Sequence, residues 1–188
     1  MGKNIITMLI AGCSGGLFAY AQSSSTQVRS SDRTFMHKAA EGGLAEVQLG
    51  QLAEQKAGSQ AVKDFGERMV KDHGQADEQL HGVASSQGVT LPNSLDGKDK
   101  ALYDRLSGLS GAAFDRVYMR AMVSDHQQDV AEFQKESETA RDQAVRSFAS
   151  TTLPTLEDHL HMARKVRHDL GISATAEANH TPESVLQK

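Results

Sequence analysis

Three Asp-His pairs punctuate the 188-residue chain, at Asp72-His73, Asp125-His126 and Asp158-His159. Two of them close similar pentapeptides, MVKDH at Met69–His73 and MVSDH at Met122–His126, set 53 positions apart. Neutral imidazoles ligate transition metals, and carboxylates in the same set suit iron or zinc. Met69 and Met122 each precede a histidine by four residues, and Met162 follows His159 by three, so a thioether lies about one helical turn from each imidazole. That pairing suits a soft ion such as Cu(I). Adjacent residues of a helix diverge by about 100°, so no Asp can share an ion with the His that follows it. The competing role for each histidine is structural: an inward His bonded to a carboxylate or tyrosine, with methionine as core filler. A pH-responsive polar core is the third reading.

These residues must be positioned by helices. The chain has three prolines, few β-branched runs and many Ala, Leu, Gln, Glu, Lys and Arg residues, which favours an all-α protein. Four long periodic segments are expected. The first runs from Asp32, taken as an N-cap, to Gly58; the second follows Ser59, also an N-cap, to about Ser86. The third covers about Ala112 to Glu138, and the fourth about Arg141 to Leu170 with Gly171 ending it. Gln87 to Gly111 is a long connection holding a short helix near Asp99 to Leu106.

In the second segment Val62, Phe65, Met69, His73, Ala76, Leu80 and Val83 keep one stripe, and His73 falls inside it. The fourth repeats this with Val145, Ala149, Thr152, Leu156, His159, Ala163, Val166 and Leu170. The third drifts, leaving either Asp125 or His126 inward. In the first, Gly43 and Gly50 permit close approach of a neighbour, and Glu46 lies on an inward line. Pro154 is expected to kink the fourth helix or free a carbonyl. Helices of roughly 25 residues are about 38 Å long, and the long connection makes the bundle ferritin-like with a crossover between its second and third helices.

Glu46, His73, His126 and His159 all lie near the middle of their helices, so they fall at one height whichever way each helix runs. They form the candidate metal set, for a transition metal ion as cofactor. The Glu-x-x-His pairs of di-iron bundles are missing, because Val70 and Leu156 occupy the positions three before His73 and His159. The remaining histidines, His37, His81, His161, His168 and His180, are expected at the surface.

The first residues carry Lys3 and an apolar run from Ile5 to Ala21, the form of an export signal with an Ala19-Tyr20-Ala21 cleavage site. Residues 1–21 are thus a signal peptide, 22–31 a polar leader, 32–170 the bundle and 171–188 a flexible tail. The expected location is the periplasm. The alternative processes Ile10–Cys13 (IAGC) as a lipoprotein site, leaving an outer-membrane lipid anchor on Cys13. Cys13 is the only cysteine, so after cleavage at Ala21 disulfides, iron–sulfur clusters and thiol catalysis are excluded. A net charge of -4 with interspersed signs, and no Trp, argues against nucleic-acid partners. No segment is long enough for a confident membrane span. GCSGG at Gly12–Gly16 matches an esterase pattern but lies within the signal, and phosphate and dinucleotide loops are absent.

Four segments then carry a resemblance: FMHKAAEGGLAEVQLGQLAEQKA, VKDFGERMVKDHGQADEQL, LSGAAFDRVYMRAMVSDHQQDV and FASTTLPTLEDHLHMA. Together, over about Asp32 to Val166, the chain resembles an exported bacterial family of unknown function, family 4142. The resemblance implies a ferritin-like fold with no established reaction, and it marks Glu46, Asp72-His73, His126 and Leu153-Pro154 with His159 as functional positions. The expected function is that of a non-enzymatic envelope binding or stress protein, with a metal-binding redox or storage protein as the alternative.

Overall fold

The computed structural model describes residues 28–173. Signal cleavage, lipidation of Cys13, most of the polar leader, His180 and most of the tail lie outside those residues. Five helices are present: α1 (Ser30–Lys56), α2 (Gln60–Ser86), α3 (Gly97–Ser107), α4 (Gly111–Thr139) and α5 (Gln143–Asp169). Among the described residues no strand forms, and no helix is long and apolar enough to cross a membrane.

α1 packs against α2 and α4 against α5 as two hairpins; α2 meets α5, α1 meets α4, and α3 lies across α1 and α4. Direction follows from which core each half of a helix enters. One apolar cluster holds Leu49, Phe65, Met69, Tyr118, Met122 and Ala163; the other holds Met36, Leu80, Phe133, Phe148 and Leu156. α1 and α5 therefore run from the second cluster to the first, and α2 and α4 run the opposite way. The parallel pair α2 and α4 requires a connection as tall as the bundle, supplied by residues 87–110 with α3 inside it. This is the ferritin-like crossover bundle.

Helix ends are set by short-range chemistry. Gly88 and Gly171 take φ of 64° and 63°, and the amides of Val89 and Ile172 bond back to Ala84 and Arg167. Both ends are thus glycine-terminated Schellman turns. Asp96 caps α3 through the Asp99 amide, and Asp142 caps α5 through Ala144 and Val145.

Two expectations about ends are corrected. Asp32 is not an N-cap: α1 begins earlier, after Arg29, and the buried Asp32 carboxylate accepts from the amides of Arg141 and Asp142 at the α4–α5 turn. Asp115 does the same in mirror fashion, accepting from Gly58 and Ser59 at the α1–α2 turn at 3.0 and 2.9 Å. Each hairpin thereby clamps the turn of the other, because a charged acceptor satisfies amides that the helix start leaves open. The packed region also exceeds 32–170 at both ends. Val28 is buried, Ile172 joins the first apolar cluster, and Arg120 donates to the Ser173 carbonyl at 3.0 Å. Leu170, expected on the inner stripe, is exposed at the end of α5. α5 continues unbroken through Pro154.

Candidate metal centre

Between the two apolar clusters lies a buried polar belt at mid-height: Glu46 from α1, His73 from α2, His126 from α4 and His159 from α5. The three imidazoles converge, with ring centroids 5.6 Å apart for His73–His126, 5.2 Å for His73–His159 and 5.3 Å for His126–His159. One ring nitrogen of each lies within 4.8 Å of the others.

The drift of α4 is resolved in favour of His126, which is wholly buried, while Asp125 turns to Lys98 of α3 at 3.1 Å. Glu46 faces only one side of this group. Its Oε1 is 3.6 Å from His126 Nδ1, and it groups with His126 and Asp129 rather than with all three histidines. The four expected residues are therefore brought together as two overlapping sets that share His126.

Hydrogen bonding fixes the imidazole orientations. His126 Nδ1–H donates to the Met122 carbonyl at 2.9 Å, leaving Nε2 as the lone-pair nitrogen. His159 Nε2–H donates to Asp72 at 2.9 Å, leaving Nδ1 as the lone pair. Those two nitrogens and His73 Nε2 are buried without a hydrogen-bond partner among the described residues. Carboxylate-to-imidazole bonding of this kind is how metal-ligating histidines are oriented. Buried polar atoms are ordinarily satisfied, so three orphan imidazole nitrogens converging in one place call for an explanation.

Charge states agree with ligation. Burial pushes the His73 imidazole well below its usual range, with His126 and His159 adding repulsion; His126 falls to about 4, again through burial first. His159 is lowered by burial against the pull of Asp72. All three are neutral at pH 7, as ligands must be. Burial raises Glu46 well above the ordinary carboxylate range, with Asp129 and Asp125 adding to it. Burial also works upward on Asp72, but hydrogen bonds from Arg68 and His159 hold its pKa below the usual value.

An ion about 2.0–2.1 Å from each nitrogen needs nitrogens roughly 3.3–3.6 Å apart. Ring shifts on the order of 1 Å bring the donors to that geometry. The methionines are part of the surrounding core: Met69 and Met122 are fully buried in the first apolar cluster. Of the other histidines, His81, His161 and His168 are exposed as expected, but His37 is half-buried.

Asp129 and Tyr118 were missed from the sequence. Asp129 follows His126 by three residues, an i, i+3 spacing that places it on the same helix face. The Tyr118 hydroxyl is buried without a partner and its pKa is raised by burial and by Glu46; nothing in the sequence distinguishes it from an ordinary core tyrosine.

Crossover topology and a mid-height imidazole cluster together define a ferritin-like helical bundle with a buried polar centre. The chain belongs to the family described as domain of unknown function 4142 (DUF4142), whose model matches residues 18–166. No curated protein matches it. Two solved structures are similar in fold. A DUF305 fragment from Deinococcus radiodurans has a TM-score of 0.65 at 16% identity, covering 77% of this chain and 97% of its own. A "putative secreted protein DUF305" from Streptomyces coelicolor has a TM-score of 0.67 at 11% identity, covering 79% of this chain and 98% of its own.

Proposed function

We propose that this protein is an exported metal-binding bundle that holds one transition metal ion through His73, His126 and His159. The observation that carries this reading is the convergence of three buried imidazoles, each with one ring nitrogen that lacks a hydrogen-bond partner among the described residues. Imidazole donors suit Zn(II), Cu and Fe(II). Three protein ligands also leave a position for water or an exchanging ligand. The interior space beside His73, Asp77 and Asp129 is about 30 Å³, and the cleft over His73, His159 and Asp72 is about 180 Å³, both below the roughly 300 Å³ at which small-molecule pockets begin. Holding or passing on an ion fits those spaces better than turnover of a larger molecule.

Export is supported by the apolar N-terminal run and by the description of the Streptomyces neighbour. The periplasm is the proposed destination, with residues 1–21 removed; intact mass of the membrane-associated and soluble forms separates that from a lipid on Cys13.

The deciding experiment is titration of the mature protein with Zn(II), Cu(I) and Fe(II) against chelators of known affinity. One ion per chain is expected, lost when His73, His126 and His159 are all replaced by Ala in a variant that keeps its helical circular dichroism. Equal binding by that variant, or none by the parent, would sink the proposal.

A further inference from the structure

Beside the histidine group, a cleft of about 260 Å³ opens between α1, α4 and the start of α3. Seven carboxylates and two lysines line it. Both lysines are already engaged, Lys98 with Asp125 at 3.1 Å and Lys38 with Glu132 at 3.2 Å. Of the remaining acids, Glu41, Asp99 and Asp129 make no ion pair among the described residues, and Lys98 offsets Asp99 and Asp129 only in part.

Its wall includes Glu46, whose side chain is only 5% exposed and whose Oε2 has no hydrogen-bond partner among the described residues. A carboxylate oxygen of Glu46, one of Asp129 and a nitrogen of His126 lie within 4.8 Å of one another. A buried carboxylate with an idle oxygen is costly unless protonated or paired.

We propose that Glu46 and Asp129 form a second cation position, separate from the three-histidine centre, that takes a hydrated divalent cation entering through the acidic cleft. Oxygen donors and an open, wet side suit a hard ion such as Mn(II), which keeps water in its remaining positions. His126 belongs to both groups of donors. Its Nδ1 edge faces Glu46 while its Nε2 is among the unpartnered nitrogens of the histidine group. The unpaired acids above concentrate cations at the entrance. The second position stands whether or not the histidine centre is filled.

Mn(II) alone is the probe, followed by electron paramagnetic resonance on the mature protein. One Mn(II) per chain is expected, and it should persist when His73 and His159 are both changed to Ala. It should vanish in Glu46→Gln/Asp129→Asn, whose neutral isosteres mimic the protonated pair and preserve the fold, while Zn(II) binding at the histidines is retained. Mn(II) binding unchanged by Glu46→Gln/Asp129→Asn would overturn the proposal, as would no Mn(II) binding at all. Loss of Mn(II) in the His73→Ala/His159→Ala protein would mean a single shared site and would overturn it too. Zn(II) titration of the same variants reads the histidine centre independently, so the two readings fail separately.

Discussion

The three Asp-His pairs have three different fates, and helix phase explains each. Asp72 diverges from His73 by about 100°, which frees it to reach across to α5, where its Oδ2 accepts from His159 Nε2–H at 2.9 Å and from Arg68 as well. Asp125 turns to Lys98 of α3, and Asp158 is exposed. The repeated dipeptide was legible as a pointer to the core, but the Asp of one pair serving the His of another was not, because it depends on how two helices are rotated in space. If Asp72 orients His159 for ligation, Asp72→Ala should weaken metal binding at the histidines by roughly 10–100-fold. Asp72→Asn, which keeps an acceptor but not the charge, should fall at the lower end. Competition titration reads both, with Arg68→Gln as a control expected to change little. Full affinity in Asp72→Ala would mean the carboxylate does not position the ring.

Helix–helix spacing was partly legible. Gly50 was expected to admit a neighbour, and it does: a Cβ there would lie 2.7 Å from the Gly66 carbonyl oxygen and 2.9 Å from a Val70 methyl. Its counterpart Gly66 was not foreseen, since a glycine in a continuous stripe gives no sign of which helix will cross it. A Cβ at Gly66 would lie 2.7 Å from the Ala53 Cβ and 2.8 Å from the Gly50 carbonyl oxygen. Gly66→Ala should therefore destabilise the protein by about 1–3 kcal/mol from overpacking, outweighing a helix-propensity gain of about 1 kcal/mol. Gly74, next to His73, has nothing within 4 Å of an added Cβ, so Gly74→Ala should stabilise by up to about 1 kcal/mol. Urea melts of the two variants should move in opposite directions; a shift of the same sign in both would refute the close-crossing account. Asp32 and Asp115 belong to the same scale. Each was read from sequence as a cap or passed over, because the turn it clamps is 109 or 57 residues distant along the chain.

For the whole molecule, the polar belt between two apolar clusters makes stability depend on protons and metal together. Histidines lowered below 6.5 bind fewer protons folded than unfolded, so between about pH 6.5 and 4, the value for His126, acidification weakens the fold. Asp77, raised to about 6 by burial, and Asp129, raised to about 7, bind more protons folded than unfolded, so across the same window they weaken the fold as pH rises. The two slopes oppose, and the metal-free protein should show only a shallow change of stability from pH 4 to 6.5. An ion on the histidines removes that balance. At a free Zn(II) concentration 100 times its Kd the folded state should gain about 2.7 kcal/mol, a Tm increase of roughly 5–10 °C for a domain of this size. Because burial holds all three histidines below their ordinary range, the gain should persist below pH 6.5 and be gone as pH approaches 4, where His126 takes up a proton. A set of exposed histidines would lose it near 6.5. Calorimetry with and without Zn(II) across that range tests this, with the His73→Ala/His126→Ala/His159→Ala protein expected to show no gain at any pH. A gain lost already at pH 6.5 would place the bound ion outside the belt.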